Sequence, residues 1–401
     1  MSPSSRGAAV VPAEPVPFVP FFRPSLGQEE EQAVLAVLRS GWLTTGEITA
    51  RFEEEFARRV GARHALALSS ATAGLHLALE SLGVGPGSVV LTSPYTFAST
   101  AEVVRYLGAD PLFVDIDRRT LNLDPARLQE RLESLEREGR RVSAIIPVHI
   151  AGLPCDMDRI GALADSRGIP VVEDAAHAFP VQYGGRWVGT LGAAGVYSFY
   201  ATKTITTGEG GMVVTDRDDL AARIRIMRLH GIDRDVWNRY TTPGAGWRYD
   251  IVAPGYKYNL TDLAAAIGRV QLARADELLA GRRAAARRYL EELSGLDFVA
   301  LPPVSERHAW HLFIIRVREE RLGRTRDECI QHLHRQGIGV SVHFIPLHLM
   351  SYYRERYGYR PEDFPAALEC FRGCISLPLS PTMGDDEMGR VIAAVRSLRD
   401  R

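Results

Sequence analysis

Apolar residues between positions 60 and 215 fall in short runs, at 65–68, 89–92, 111–114, 143–148 and 170–173. Each run is followed by a polar turn and then by apolar positions at helical spacing, so the runs read as strands. The helical stretches predicted are 29–39, 51–60, a helix opening near 71, 98–107, 125–138, 157–167 and 220–230. Two further short strands, 196–200 and 212–215, are joined by a polar, Gly-rich turn. Short apolar strands alternating with helices predict an α/β fold: a mainly parallel sheet covered by helices. Sites in such sheets gather beyond the carboxyl ends of the strands.

A long helix is expected at 260–293, and Pro302-Pro303 marks the passage into a smaller α+β part. That part carries a strand at 312–317 and helices at 326–336 and 385–398. The expected organisation is a flexible leader over 1–20, a large domain over 21–260, and the linking helix with a small C-terminal domain over 261–401.

Composition narrows the function classes. With 401 residues, 46% of them hydrophobic, the chain can bury a large core. Its 48 Lys+Arg against 49 Asp+Glu excludes a strongly basic nucleic-acid binder. No apolar run approaches the roughly 18–20 residues of a membrane span, and the leader lacks the features of a signal peptide. Four cysteines, with no CxxC pair, do not make a disulfide framework; Cys370 and Cys374 read as buried thiols on one helical face. Cytoplasmic localisation is the expectation. Histidines at 308/311, 332/334 and 343/348 have no thiolate or carboxylate at ligand-like spacing, so no metal site is expected.

The chemistry concentrates at 195–214. Lys203 is the only charged residue between Arg186 and Glu209. A free lysine ammonium, with a pKa of about 10.4, is a poor nucleophile at neutral pH, but in a partly dry pocket beside a cofactor it can lose its proton and react. Gly208, Gly210 and Gly211 would let the backbone come close to a bulky ligand. Upstream, an apolar strand ends in Glu173-Asp174; an Asp there suits the partner of a pyridinium nitrogen, or merely caps the next turn, with Glu173 a competitor for either role. The hydroxyl-rich turn 69–72 before a helix reads as an N-cap or an anion site. Phe97 falls at a strand's carboxyl end, in the core or against a flat ring.

The blocks Ser198-Phe199-Tyr200-Ala201-Thr202-Lys203, Gly208-Glu209-Gly210-Gly211 and Glu173-Asp174-Ala175-Ala176-His177-Ala178 resemble the DegT/StrS family of sugar aminotransferases, which depend on pyridoxal 5'-phosphate (PLP). Residues 255–262 and 308–315 are similar to the branch that aminates UDP-linked 4-keto sugars of the arabinose type, and the likeness runs from about Phe21 to the last helix. The resemblance implies the aspartate-aminotransferase-like fold (fold type I) and a homodimer with shared active sites. It implies that Lys203 attaches PLP and moves protons, that Asp174 faces the pyridine nitrogen, and that His177 approaches the ring's phenolic oxygen. Thr72 and Ala73 would hold the phosphate through backbone amides, Phe97 would stack on the ring, and Ser198 would join the cofactor site. Asn259, where many relatives carry Arg, would reach the phosphate of the neighbouring subunit; His343 and the loop 41–46 would lie near the substrate. Glutamate is the implied donor and a nucleotide-linked keto sugar the acceptor. The irregular segment 231–255 offers aromatics for stacking and Arg234, Arg239 and Arg248, with Arg228 just before it, for a diphosphate. A ketocyclitol acceptor, or a PLP-binding regulatory protein without turnover, are the alternatives.

Overall fold

The computed structural model describes residues 18–233 and 249–400. The large sheet contains β1 (His64–Leu68), β2 (Val89–Thr92), β3 (Asp110–Phe113), β4 (Val142–Ile146) and β5 (Val172–Asp174). After a small hairpin, β6 (Gln182–Tyr183) and β7 (Arg186–Trp187), it is completed by β8 (Ala194–Ser198) and β9 (Gly211–Thr215). Strands β3, β2 and β4 form one parallel group, and β5, β8, β9 and β1 a second. Parallel bridges Ile145–Val171 and Val148–Asp174 join the groups. Only β9 runs against its neighbours, pairing antiparallel with both β8 and β1. The sheet is therefore mainly parallel, as its short apolar strands require.

The covering helices are α1 (Gln28–Ser40), α2 (Glu47–Val60), α3 (Ala71–Ser81), α4 (Ser99–Tyr106), α5 (Pro125–Arg137), α6 (Met157–Asp165) and α7 (Asp218–Met227). Strand alternation decides what each face buries. Val196 and Val213 face Leu75 and Leu79 of α3, while Tyr197 and Met212 face Phe52 and Phe56 of α2. Each of these fully buried aromatics contributes about 1.5–3 kcal/mol through burial.

The long helix expected at 260–293 is two helices, α8 (Asp262–Ala273) and α9 (Ala275–Leu293). At Arg274 the backbone leaves the helix (φ −91°, ψ 0°), and its guanidinium is drawn to the buried Glu30 at 2.9 Å. The C-terminal part has its own antiparallel sheet of β10 (Val299–Ala300), β11 (Phe313–Val317) and β12 (Cys374–Leu377), packed around Tyr289, Phe313, Ile315 and Val391. Cys370 and Cys374 do not share a helix: the helix ends at Gly373, whose lack of a side chain lets it lie against the Val317 carbonyl (a Cβ would come within 2.6 Å), and Cys374 opens β12 opposite Arg316. Of the leader expected over 1–20, residues 1–17 lie outside the described residues. Val19 is buried and bridges Ile338.

Backbone contacts bind the C-terminal part to the carboxyl edge of the large sheet. The amides of Ala309 and His311 donate to the carbonyls of Gly152 and Ala151, both at 2.9 Å, and Leu347 donates to Pro94 at 2.7 Å. Among the described residues, no helix is long and apolar enough to cross a membrane.

Candidate active site

Lys203 lies in the excursion between the antiparallel strands β8 and β9, where the Phe199 amide donates to the Gly210 carbonyl at 2.9 Å and the Lys203 amide to Tyr200 at the same distance. The glycines here have reasons in the backbone itself. Gly208 has φ +80°, and a side chain on Gly210 would strike the Thr207 hydroxyl. One on Gly211 would strike the Ser70–Ala71 backbone at 2.5–2.6 Å. Gly211 thus lets β9 press against the head of α3.

The half-buried Lys203 amine stands 3.4 Å from His311 Nε2. Desolvation, opposed by the Asp174 charge and aided by that of Arg282, lowers its pKa to about 8. It is therefore far easier to deprotonate than a lysine in water. His311 tilts against His177 with ring centroids 4.3 Å apart, and His177 stacks on Phe344 at 6.0 Å. Burial holds both imidazoles well below their usual pKa, so they are neutral. His177 Nδ1 accepts the Ala151 amide at 3.3 Å, which leaves its proton on Nε2 as a donor. The Nδ1 of His311 is buried with no partner among the described residues. Burial likewise lowers His343 to about 4; its Nδ1 lies 2.8 Å from the Ser376 hydroxyl, and its ring 5.0 Å from that of Phe344.

Asp174 and Glu173 are neighbours on one strand and point opposite ways. Asp174, 4% exposed, accepts from the Thr100 hydroxyl at 2.8 Å and the Ala176 amide at 3.2 Å. Thr96 in turn donates to Thr100 at 2.8 Å, since the Thr100 hydrogen is taken by Asp174. Burial raises the Asp174 carboxyl; its hydrogen bonds and the Lys203 charge oppose that. Glu173 is spent on structure: it accepts the amides of Gly189, Leu191 and Gly192 at 2.5–2.8 Å, and His149 Nε2 lies 3.1 Å away. His149 Nδ1 accepts the Cys155 amide at 3.0 Å, which gives both of those residues a structural place.

Ser70 caps α3, and its hydroxyl accepts the Ala73 amide at 3.0 Å. Thr72 lies beside it in the first turn, where amides have no partner within the helix. Ser198 ends β8 and accepts the Tyr200 amide at 3.3 Å. Phe97 is 61% exposed, its ring 6.3 Å from Phe344. Asn259 donates to the Thr45 hydroxyl and accepts from Lys257 Nζ, both at 2.6 Å. It lines a cleft of about 580 Å³ that includes none of Lys203, Asp174 and His177. Arg228 cannot serve a diphosphate as expected: it is buried, bound to Glu53 and to the Ala67 carbonyl. Arg234, Arg239 and Arg248 lie outside the described residues.

Sequence reasoning missed Thr100, Arg282 and the role of His311. One available signal was the lysine count: the chain has two, Lys203 and Lys257.

These residues fit PLP. A buried carboxylate at a strand end can face a pyridinium nitrogen, an exposed aromatic ring can take a flat heterocycle, and a helix start can take a phosphate. With the mainly parallel sheet, they define an aminotransferase of fold type I that uses PLP. More narrowly, the chain belongs to the DegT/DnrJ/EryC1/StrS aminotransferase family, whose model matches residues 24–396. It is 46% identical over 384 residues to the spore coat polysaccharide biosynthesis protein SpsC of Bacillus subtilis, covering 95% of this chain and 97% of that one. Among solved structures, the putative sugar aminotransferase Spr1654 of Streptococcus pneumoniae in its PMP form superposes with a TM-score of 0.87 at 31% identity, over 95% of this chain and 99% of that one. The PLP form of the same protein gives 0.85 at 30%, over 96% and 99%. Helicobacter pylori PseC, an aminotransferase involved in the biosynthesis of pseudoaminic acid, gives 0.87 at 26%, over 96% and 99%.

Proposed function

We propose that this enzyme moves the amino group of glutamate onto the keto carbon of a nucleotide-linked sugar. The acceptor is a UDP-linked 4-keto sugar, a pentose of the arabinose type or a 6-deoxyhexose. The observation that carries this is where the arabinose-like run 308–315 sits: its His311 is the side chain 3.4 Å from the Lys203 amine.

When bound, PLP supplies the electron sink and carries the amino group between donor and acceptor. Lys203 attaches the cofactor and, with an amine near pKa 8, takes and returns a proton at Nζ. Asp174, held by Thr100 and Ala176, keeps the pyridine nitrogen protonated. His177 would offer its Nε2 proton to the ring's phenolic oxygen, Phe97 would cover the ring face, and Ser198 and the first turn of α3 at Thr72 and Ala73 would receive the phosphate, which would take the Ala73 amide over from the Ser70 hydroxyl. Asn259 completes that phosphate site in a second copy of the chain; its place in a cleft apart from Lys203 supports this.

A panel of keto sugars, with glutamate and glutamine as donors, tests the assignment. UDP should inhibit tightly and less so as salt rises. No inhibition by any nucleoside diphosphate, together with turnover of a free ketocyclitol, would move the acceptor to that class.

A further inference from the structure

Arg282, on α9, is 4% exposed, and among the described residues no carboxylate pairs with it. Its Nη1 donates to the carbonyls of Trp310, His311 and Leu379 at 3.3, 3.3 and 3.2 Å, and its Nη2 to that of Thr202 at 3.4 Å. Nε is buried without a partner. Desolvation lowers the guanidinium to about pKa 10, which still leaves it charged at neutral pH. For packing alone, an apolar side chain of similar volume would serve at lower cost.

The four carbonyls give the charge its use. Thr202 immediately precedes Lys203, and His311 is the residue whose ring faces the Lys203 amine. Leu379 belongs to the C-terminal part. One planar cation with fixed donors thus spans the lysine turn, the 308–312 run and the C-terminal segment, three stretches far apart in sequence. We propose that Arg282 is a positioning residue that holds Lys203 against His311 and keeps a fixed positive charge facing the amine. This rests on Lys203 being the reacting amine, but it can be tested without the cofactor.

The charged and titratable groups that face Lys203 are Asp174, Arg282, His177, His311 and His343. The three histidines are neutral above pH 7, so Asp174 and Arg282 are the two fixed charges, acting in opposite directions. Removing Arg282 should raise the amine's pKa twice over, by loss of the charge and by loosening that lets in water.

Because the chain has two lysines, competitive labelling of the cofactor-free protein with trace acetic anhydride across the alkaline range, read on each lysine's peptide, gives both titrations in one sample. Lys203 should titrate near 8 in the unaltered protein. In Arg282→Met it should move up measurably, yet stay below the ordinary lysine range because burial still desolvates the amine, and Arg282→Lys should remain close to the parent. If Arg282→Met does not fold, Arg282→Gln gives the same readout without the charge. A folded, uncharged variant in which Lys203 titrates as in the parent overturns the proposal. An ordinary lysine titration at Lys203 in the parent itself would instead count against Lys203 as the reacting amine.

Discussion

Lys203 and Lys257 share a side chain and almost nothing else. Lys257 is exposed, and its ammonium donates to the Asn259 side chain at 2.6 Å. Lys203 is tucked between strand ends, among neutral imidazoles and beside a buried cation, and its pKa falls to about 8. The difference comes from what surrounds each amine: desolvation and a like charge make the Lys203 amine easier to deprotonate, while Lys257 lies open to solvent.

The sharpest way to break this comparison is to exchange each amine for a guanidinium. Lys203→Arg should lower turnover by at least about 10³-fold, since a covalent anchor and a proton carrier go together. Lys257→Arg should keep most of the activity; equal losses would erase the distinction.

The adjacent carboxylates come next. Asp174→Asn should fold normally and lose turnover by about 10²–10³-fold, as the electrostatic partner of the cofactor is removed. Glu173→Ala should do the reverse. It strips a buried acceptor from three amides and His149, so denaturant unfolding should show a loss of about 3–5 kcal/mol. A smaller effect is expected one step back: Thr100→Val deletes the hydroxyl bond to Asp174 and should slow turnover about tenfold.

The pH dependence is the mildest test. In cofactor-free protein, the rate of PLP uptake should rise with pH through about 8 and level off, as the Lys203 amine loses its proton. The linkage has the matching sign. A lysine whose folded pKa lies below its ordinary value of 10.5 binds fewer protons than the unfolded chain, so its contribution to stability grows as pH rises from about 8 toward 10.5.

Much of this was legible in the residues. Strand-end positions followed from short apolar runs, and Lys203 stood out as the one charge in a long uncharged stretch. The residues leave Glu173 and Asp174 as competitors for one role; what separates them is the loop 189–192, whose amides claim Glu173. By sequence Arg228 reads as a diphosphate ligand and Arg282 as one more residue of a long helix. Their burial comes from partners at a distance, Glu53 for one and the carbonyls of Thr202, His311 and Leu379 for the other, and local spacing carries no trace of such contacts. The residues place His308 and His311 in a family-like block and give neither a role. The structure instead stacks His308 on Trp310 at 3.8 Å and turns His311 to the lysine.

The most direct measurement is borohydride reduction of the PLP-loaded protein followed by peptide mapping. With two lysines in the chain, the answer is nearly binary. The pyridoxyl label should fall on the peptide containing Lys203, with the yellow colour bleached in proportion. A label on Lys257 would contradict the central claim.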